Sequence, residues 1–177
     1  QIKEEIKAEV AAMIDNDIRP PHLAAILVGD DPASQTYVAS KEKNCQSVGI
    51  ISTAYRLPTE TTEEELLETI DFLNKDDEVD GFIVQVPLPK HLNEDKVIKL
   101  IDPTKDVDGF HPVNIGKMVL GEDTFLPATP YGVMELLNRY NIDTEGKNCV
   151  VLGRSHNVGT PMSLLMSRNS KPGNATV

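Results

Sequence analysis

Apolar and polar positions repeat along this chain in two patterns, one typical of amphipathic helices and one of short buried strands. Ile2, Ile6 and Val10 recur at helical spacing, whereas residues 23–28 form a continuous apolar run that stops at a Gly-Asp-Asp-Pro turn. The same reasoning predicts strands at 51–57, 81–86 and 148–152, a further strand beginning at 175, and helices at 33–48, 61–74, 93–101, 129–140 and 159–168.

Two of these helices carry sequence signals for their first turn. Thr62 is followed three residues later by Glu65, the spacing of a capping box. Thr129 precedes Pro130, which favours threonine as the cap and proline in the first turn. Residues 102–112 are rich in turn formers, and we expect a loop there.

Strands that alternate with helices predict an α/β fold built on a parallel sheet with right-handed crossovers. In such sheets ligands bind beyond the carboxyl ends of the strands, which here means after Val28, Leu57 and Val86. The pattern restarts at Thr129, so we expect one domain at 1–128 and a second at 129–177. A β-α-β unit that stops at its second strand would be only part of that second domain.

The composition of the chain argues against several classes of binding partner. The 28 acidic residues outnumber the 17 basic ones, and such a balance disfavours nucleic acid and anionic membranes, which need clustered positive charge. Two cysteines fit a reducing compartment, and neither a signal peptide nor an apolar run long enough to span a bilayer is visible. We expect a cytoplasmic protein, of a bacterium rather than an organelle.

Tyr37, Lys41 and Gln85 are the first candidates for chemistry. Tyr37 and Lys41 lie four residues apart on a predicted helix, and therefore share one of its faces. Spacing alone favours the ordinary alternative, an exposed aromatic beside a solvated lysine, because functional lysines are the minority. Gln85 stands in an apolar run, where a buried amide needs a partner. That partner is either the backbone or a lysine reaching from the neighbouring crossover.

Two turns contain further candidates. Asp106 and Asp108 lie in a turn-rich segment, and no further ligands follow at a metal-binding spacing, so we expect no metal. An aspartate in such a loop either accepts hydrogen bonds from a ligand or accepts them from its own backbone. Residues 153–159 (GRSHNVG) follow a predicted strand and open a helix, the context of a phosphate-binding turn. Ser155 replaces the second glycine of the usual dinucleotide fingerprint, and Arg154 and Ser155 could both donate to a phosphate.

Five segments together resemble the bifunctional methylenetetrahydrofolate dehydrogenase/cyclohydrolase family, in family order and spacing. They are residues 32–41 (PASQTYVASK), 84–89 (VQVPLP), 105–112 (KDVDGFHP), 127–132 (PATPYG) and 153–161 (GRSHNVGTP). The resemblance implies a parallel-sheet folate-binding catalytic domain followed by the first part of a Rossmann-type dinucleotide-binding domain. It covers the chain from the first helix to the last residue.

The resemblance also implies roles for individual residues. Tyr37 would stack on the folate, Lys41 would be the catalytic lysine, and Gln85 would hydrogen-bond Lys41 and position it. Asp108 would bind the pterin ring, and Pro87 is counted with the substrate-binding residues. Four residues would hold the nicotinamide cofactor, usually NADP with NAD as the other choice: Gly153, Arg154, Ser155 and Gly159. The family's substrates are tetrahydrofolate derivatives, and its members form homodimers.

The implied chemistry is oxidation of methylene-tetrahydrofolate to the methenyl cation, and hydrolysis of that cation to formyl-tetrahydrofolate. The sequence departs from the family at Val86 and Ala128, where leucine and cysteine are commoner. It also lacks the family's opening strand, the remainder of the dinucleotide domain and a return helix, so this stretch alone could be inactive. An NAD-dependent dehydrogenase without hydrolase activity, and a non-catalytic nucleotide-binding protein, are the alternatives.

Overall fold

The computed structural model describes residues 1–177 as two compact units, Gln1–Lys105 and Asp106–Val177. The first unit contains a three-stranded parallel sheet in the order β2-β1-β3. Its elements in chain order are α1 (Ile2–Asp15), β1 (His22–Val28), α2 (Pro32–Val48), β2 (Ile51–Leu57), α3 (Glu63–Lys75), β3 (Gly81–Val84) and α4 (Glu94–Leu100). The α/β class with a parallel sheet, predicted from the alternation of strands and helices, is confirmed.

Strand β1 lies at the centre of this sheet because its apolar run can be buried on both faces. Ile26 is fully buried and pairs with Tyr55 on one side and Val84 on the other. The α3 residues Leu66, Ile70 and Leu73 are also fully buried and belong to the same core cluster. Burial of each such aliphatic side chain stabilises the fold by about 1.5–3 kcal/mol, so this cluster contributes strongly to the stability of the unit.

The starts of two helices follow from single polar side chains. Asp31 accepts a hydrogen bond from the Ser34 amide, and Pro32 occupies the first turn of α2. At α3 the Thr62 hydroxyl accepts from the Glu65 amide while the Glu65 carboxylate accepts from the Thr62 amide. The capping box predicted from the sequence is therefore present.

The second unit contains three helices packed on a small methionine-rich core. These are α5 (Pro112–Leu120), α6 (Ala128–Arg139) and α7 (Gly159–Ser167). The buried core residues are Met118, Met134, Leu165 and Met166. No helix of the structure is long and apolar enough to cross a membrane.

The second unit differs from the sequence predictions in three details. Helix α5 was not among the predicted elements; Pro112 opens it, and His111 caps it by accepting from the Val113 amide. Helix α6 begins at Ala128 rather than after a Thr129 cap, and it has no side-chain cap.

The third is the predicted strand at 148–152, which is reduced to a single parallel bridge between Asn148 and Thr176. Val150 and Leu152 are 83% and 97% exposed, because no strand lies beside them in this structure. The two compact units divide between Lys105 and Asp106. The domain boundary predicted at 128–129 stays a prediction.

Candidate functional site

Lys41 and Gln85 meet beyond the carboxyl ends of the first unit's strands. Helix α2 follows the end of β1, and Gln85 follows the end of β3, the strand beside β1. Parallel neighbours end at the same sheet edge, which brings together two residues 44 positions apart. The Lys41 side-chain nitrogen Nζ donates to Gln85 Oε1 over 3.3 Å, and both side chains are half-buried.

Other bonds fix the orientation of the Gln85 amide. Its backbone N–H donates to the Ile26 carbonyl over 2.9 Å, which continues the β1–β3 pairing by one residue. Its side-chain Nε2 donates to the Val86 carbonyl over 2.8 Å. The side chain therefore presents its carbonyl oxygen to Lys41. The sequence placed Gln85 inside the strand at 81–86, but β3 ends at Val84, so Gln85 begins the loop.

Tyr37 lies one helical turn before Lys41 on α2, and its side chain is 62% exposed. An aromatic ring with that much free surface is available to stack on a planar ligand. Cys45, one turn after Lys41, is buried, and burial raises the pKa of its thiol. The thiol consequently stays protonated and is a poor nucleophile.

The loop after Gln85 is held by a residue that sequence reasoning missed. Pro87 is exposed there, and the Leu88 amide donates to Glu94 Oε1 over 2.9 Å. Glu94 belongs to the first turn of α4, a position where acidic residues are common for helix-dipole reasons. Because acidic residues are common at this position, no separate signal in the sequence indicated the second role of Glu94, which is to fix the loop that contains Pro87.

Asp108 belongs to the second unit, in the segment just before α5. Its side chain is half-buried, whereas Asp106, two residues earlier, is only 2% exposed. Asp106 accepts hydrogen bonds from the His111 amide and from the Asn114 side chain, and sequence reasoning did not single out Asn114. No group of three or more His, Cys, Asp or Glu side chains is arranged to hold a metal ion.

The turn at residues 153–159 leads into α7, as expected from the sequence. Gly159 packs so closely on Gly153 that a Cβ atom on it would lie 2.4 Å from the Gly153 carbonyl carbon, so no larger residue fits. Ser155 Oγ accepts from the amides of Val158 and Gly159, each over 3.2 Å. Its hydroxyl hydrogen is left for another acceptor, and the exposed Arg154 lies next to it. These groups suit a phosphate of a bound nucleotide.

The first unit has a parallel sheet with a lysine–amide pair at its carboxyl edge, and the second has a turn that suits a phosphate. This combination is typical of α/β proteins that bind nucleotides. Comparison with family models makes this specific. The model "Tetrahydrofolate dehydrogenase/cyclohydrolase, catalytic domain" matches residues 1–108. The model for the NAD(P)-binding domain of the same family matches residues 127–177. The chain belongs to the tetrahydrofolate dehydrogenase/cyclohydrolase family, which confirms the resemblance seen in the five motifs.

Curated relatives named bifunctional protein FolD match this chain over its whole length. The bifunctional protein FolD of Cytophaga hutchinsonii is 57% identical over 177 residues, which are 100% of this chain and 61% of that protein. The bifunctional protein FolD of Bacteroides fragilis is 56% identical over 177 residues, 100% of this chain and 60% of that protein. The chain therefore spans about three fifths of the length of these bacterial relatives.

Solved structures agree with this placement. The bifunctional FolD enzyme of Campylobacter jejuni has a TM-score of 0.93 at 47% identity, covering 99% of this chain and 61% of that one. The methylenetetrahydrofolate dehydrogenase of Bombyx mori has a TM-score of 0.94 at 44% identity, covering 99% and 62%. The Trypanosoma brucei dehydrogenase-cyclohydrolase, solved with NADP and an inhibitor, has a TM-score of 0.91 at 32% identity, covering 99% and 59%.

Proposed function

We propose that the full-length protein carrying this sequence oxidises 5,10-methylenetetrahydrofolate to 5,10-methenyltetrahydrofolate with NADP, and hydrolyses the product to 10-formyltetrahydrofolate. The observation that carries the proposal is the Lys41–Gln85 hydrogen bond at the carboxyl edge of the sheet, in a chain of this family. A half-buried amine with a neutral, oriented partner is suited to moving a proton beside a ligand.

The hydrolysis step gives Lys41 its chemical role. The methenyl group is a cation, and a neutral amine avoids the repulsion that an ammonium would meet beside it. As the oxygen of a water molecule attacks the methenyl carbon, Lys41 Nζ takes a proton from that water. The hydroxyl of the adduct then loses its proton to solvent as the bond from this carbon to N5 breaks and N5 takes the proton held by Lys41, so the formyl group stays on N10. Gln85 directs the amine without adding a negative charge that would hold a proton on it.

In the oxidation step the protein's contribution is binding and orientation. When bound, the nicotinamide cofactor accepts the hydride that leaves the methylene carbon. Tyr37 stacks on the substrate, Lys41 and Pro87 contact it, and Asp108 accepts hydrogen bonds from the pterin ring. The position of Tyr37, one turn before Lys41 and largely exposed, supports its place beside the ligand.

The cofactor is NADP, held by the turn that contains Gly153, Arg154, Ser155 and Gly159. Support comes from the match of residues 127–177 to an NAD(P)-binding domain and from the relative solved with NADP. NAD is the other candidate. We further propose that the protein works as a cytoplasmic homodimer, on the strength of its family membership.

A spectroscopic assay of the full-length protein tests the proposal. Supplied with methylenetetrahydrofolate and NADP, the protein should form NADPH and 10-formyltetrahydrofolate, and supplied with methenyltetrahydrofolate alone it should hydrolyse it. Repeating the first assay with NAD in place of NADP measures the cofactor preference. Oxidation without hydrolysis would identify a monofunctional dehydrogenase, and absence of both reactions would identify a non-catalytic protein.

A further inference from the structure

A buried polar cluster lies directly behind the turn that contains Asp108. Asp106 and Asn114 are each only 2% exposed. Asp106 Oδ2 accepts from the His111 amide over 2.7 Å and from Asn114 Nδ2 over 2.9 Å. Asn114 Oδ1 in turn accepts from the Thr124 hydroxyl over 2.8 Å. One carboxylate thus joins the two ends of the turn to α5 and, through Asn114, to the segment before α6.

The opposite side of the turn packs against the backbone of Leu126 and Pro127. The Gly109 amide donates to the Asp106 carbonyl over 3.2 Å, and Gly109 has a φ of +69°. A Cβ atom on Gly109 would lie 2.6 Å from the Leu126 carbonyl carbon and 2.7 Å from the Pro127 nitrogen. The turn is therefore fixed on one side by the Asp106 carboxylate and on the other by close backbone packing, with Asp108 between the two.

A buried polar network of this kind contributes more to the fixed geometry of the turn than to the stability of the fold. Burying a carboxylate is costly unless donors satisfy it, and an apolar side chain of similar volume often stabilises a fold as well or better. A fully satisfied buried network, however, has few alternative arrangements and so fixes the backbone around it. All side-chain nitrogen and oxygen atoms buried in this structure have partners, so the network meets that condition.

We infer that Asp106 and Asn114 are a positioning pair, which holds the turn at residues 106–110 in the conformation that presents Asp108 to the donors of a pterin ring. The inference rests on the proposed function, because its ligand is the folate of that proposal. Neither residue touches the ligand. Their effect reaches the site through the backbone between Asp106 and His111.

Disrupting the pair provides the test in the full-length protein. Asn114→Asp places two carboxylates against each other, because Asp106 Oδ2 then faces an oxygen instead of the Asn114 amide nitrogen. Thr124→Val is the milder variant, since it removes the hydroxyl from which Asn114 Oδ1 accepts and leaves the two contacts of Asp106 Oδ2 in place. We expect Asn114→Asp to raise the KM for methylenetetrahydrofolate about tenfold or more with the KM for NADP within about twofold, and Thr124→Val to raise the folate KM by a smaller factor.

A matched control separates positioning from general loss of stability. Thr144 is also buried in the second unit, and its hydroxyl accepts from the Gly173 amide and donates to the Gly173 carbonyl. Thr144→Val should lower the melting temperature without raising the folate KM. If Thr144→Val raises that KM as much as Asn114→Asp does, the pair has only a structural role and the inference is wrong.

Other outcomes also decide the question. A folded Asn114→Asp variant with an unchanged folate KM overturns the inference. If Asn114→Asp does not fold, Thr124→Val carries the test, and an unchanged folate KM in that variant overturns the inference. A wild-type protein without folate-dependent activity instead contradicts the proposed function, and the inference about its ligand fails with it.

Discussion

Lys41 Nζ donates a hydrogen bond to Gln85 Oε1 over 3.3 Å, across 44 residues of sequence. The acceptor is a side-chain amide whose Nε2 donates to the Val86 carbonyl, while the Gln85 backbone N–H donates to the Ile26 carbonyl. An amide orients the amine as a carboxylate would, but it adds no negative charge to retain a proton there. This difference makes the pair suitable for a base that works beside a cation.

The first prediction concerns the charge of the orienting residue. Gln85→Glu should lower hydrolysis of methenyltetrahydrofolate at neutral pH by about tenfold or more, because a carboxylate stabilises the protonated amine. Activity should recover as pH rises, so the rate profile moves to higher pH. The control is Gln35→Glu, which adds the same charge at an exposed position of α2. A wild-type pH profile for Gln85→Glu would refute the argument.

The second prediction concerns the close approach at the start of α7. Gly159→Ala forces a Cβ atom against the Gly153 backbone. We expect a loss of about 1–3 kcal/mol in the free energy of unfolding and a KM for NADP raised roughly tenfold. Gly116→Ala is the matched control, since nothing lies within 4 Å of a Cβ on that helical residue. It should be neutral or stabilise by up to about 1 kcal/mol.

The third prediction is a pH dependence of stability. Asp80 accepts two hydrogen bonds from the Arg19 guanidinium, at 2.7 and 2.9 Å, and one from the His22 amide at 2.7 Å. The Arg19 bond is the largest cause that lowers the pKa of Asp80 below its ordinary value of 3.8. A carboxyl with a depressed pKa stabilises the fold above its ordinary pKa, and that contribution disappears as pH falls through the folded value.

Asp80→Asn should therefore lower the free energy of unfolding at pH 7 by up to about 1 kcal/mol, a small effect because the pair is partly exposed. Urea titrations from pH 7 downward should show the difference from wild type shrinking below about pH 4. Asp71→Asn is the control, since its ion pair with Lys75 is an exposed helical one. A difference that grows on acidification would contradict the assignment.

The fold was predictable from sequence where one local signal decides the structure. The apolar run of β1 is long enough only for a strand, and Thr62 with Glu65 can satisfy each other's amides without help from the rest of the chain. The predicted strand at 148–152 needed neighbours along its whole length, and the structure pairs it only at Asn148. Burial on a sheet depends on those neighbours rather than on the run itself.

The candidate site, like the fold, was predictable from the sequence only in part. Lys41 and Gln85 could be suggested separately from sequence, but their contact depends on β3 pairing with β1. The Asp106–Asn114 network was out of reach, because an asparagine in an unpredicted helix carries no signal of its own. Its partner Thr124 comes from a different segment. The roles assigned to the site residues stay predictions: Tyr37, Lys41, Gln85, Pro87, Asp108 and the 153–159 turn.

The most direct test of the account is Lys41→Met in the full-length protein, with the two reactions assayed separately. Lys43→Met, at an exposed position of the same helix, is the control. We expect Lys41→Met to lose roughly a hundredfold or more of its hydrolysis of methenyltetrahydrofolate, and to retain a larger share of its NADP-dependent oxidation. Equal loss of the two activities, or no loss of either, would contradict the assignment of Lys41 as the base of the hydrolysis step.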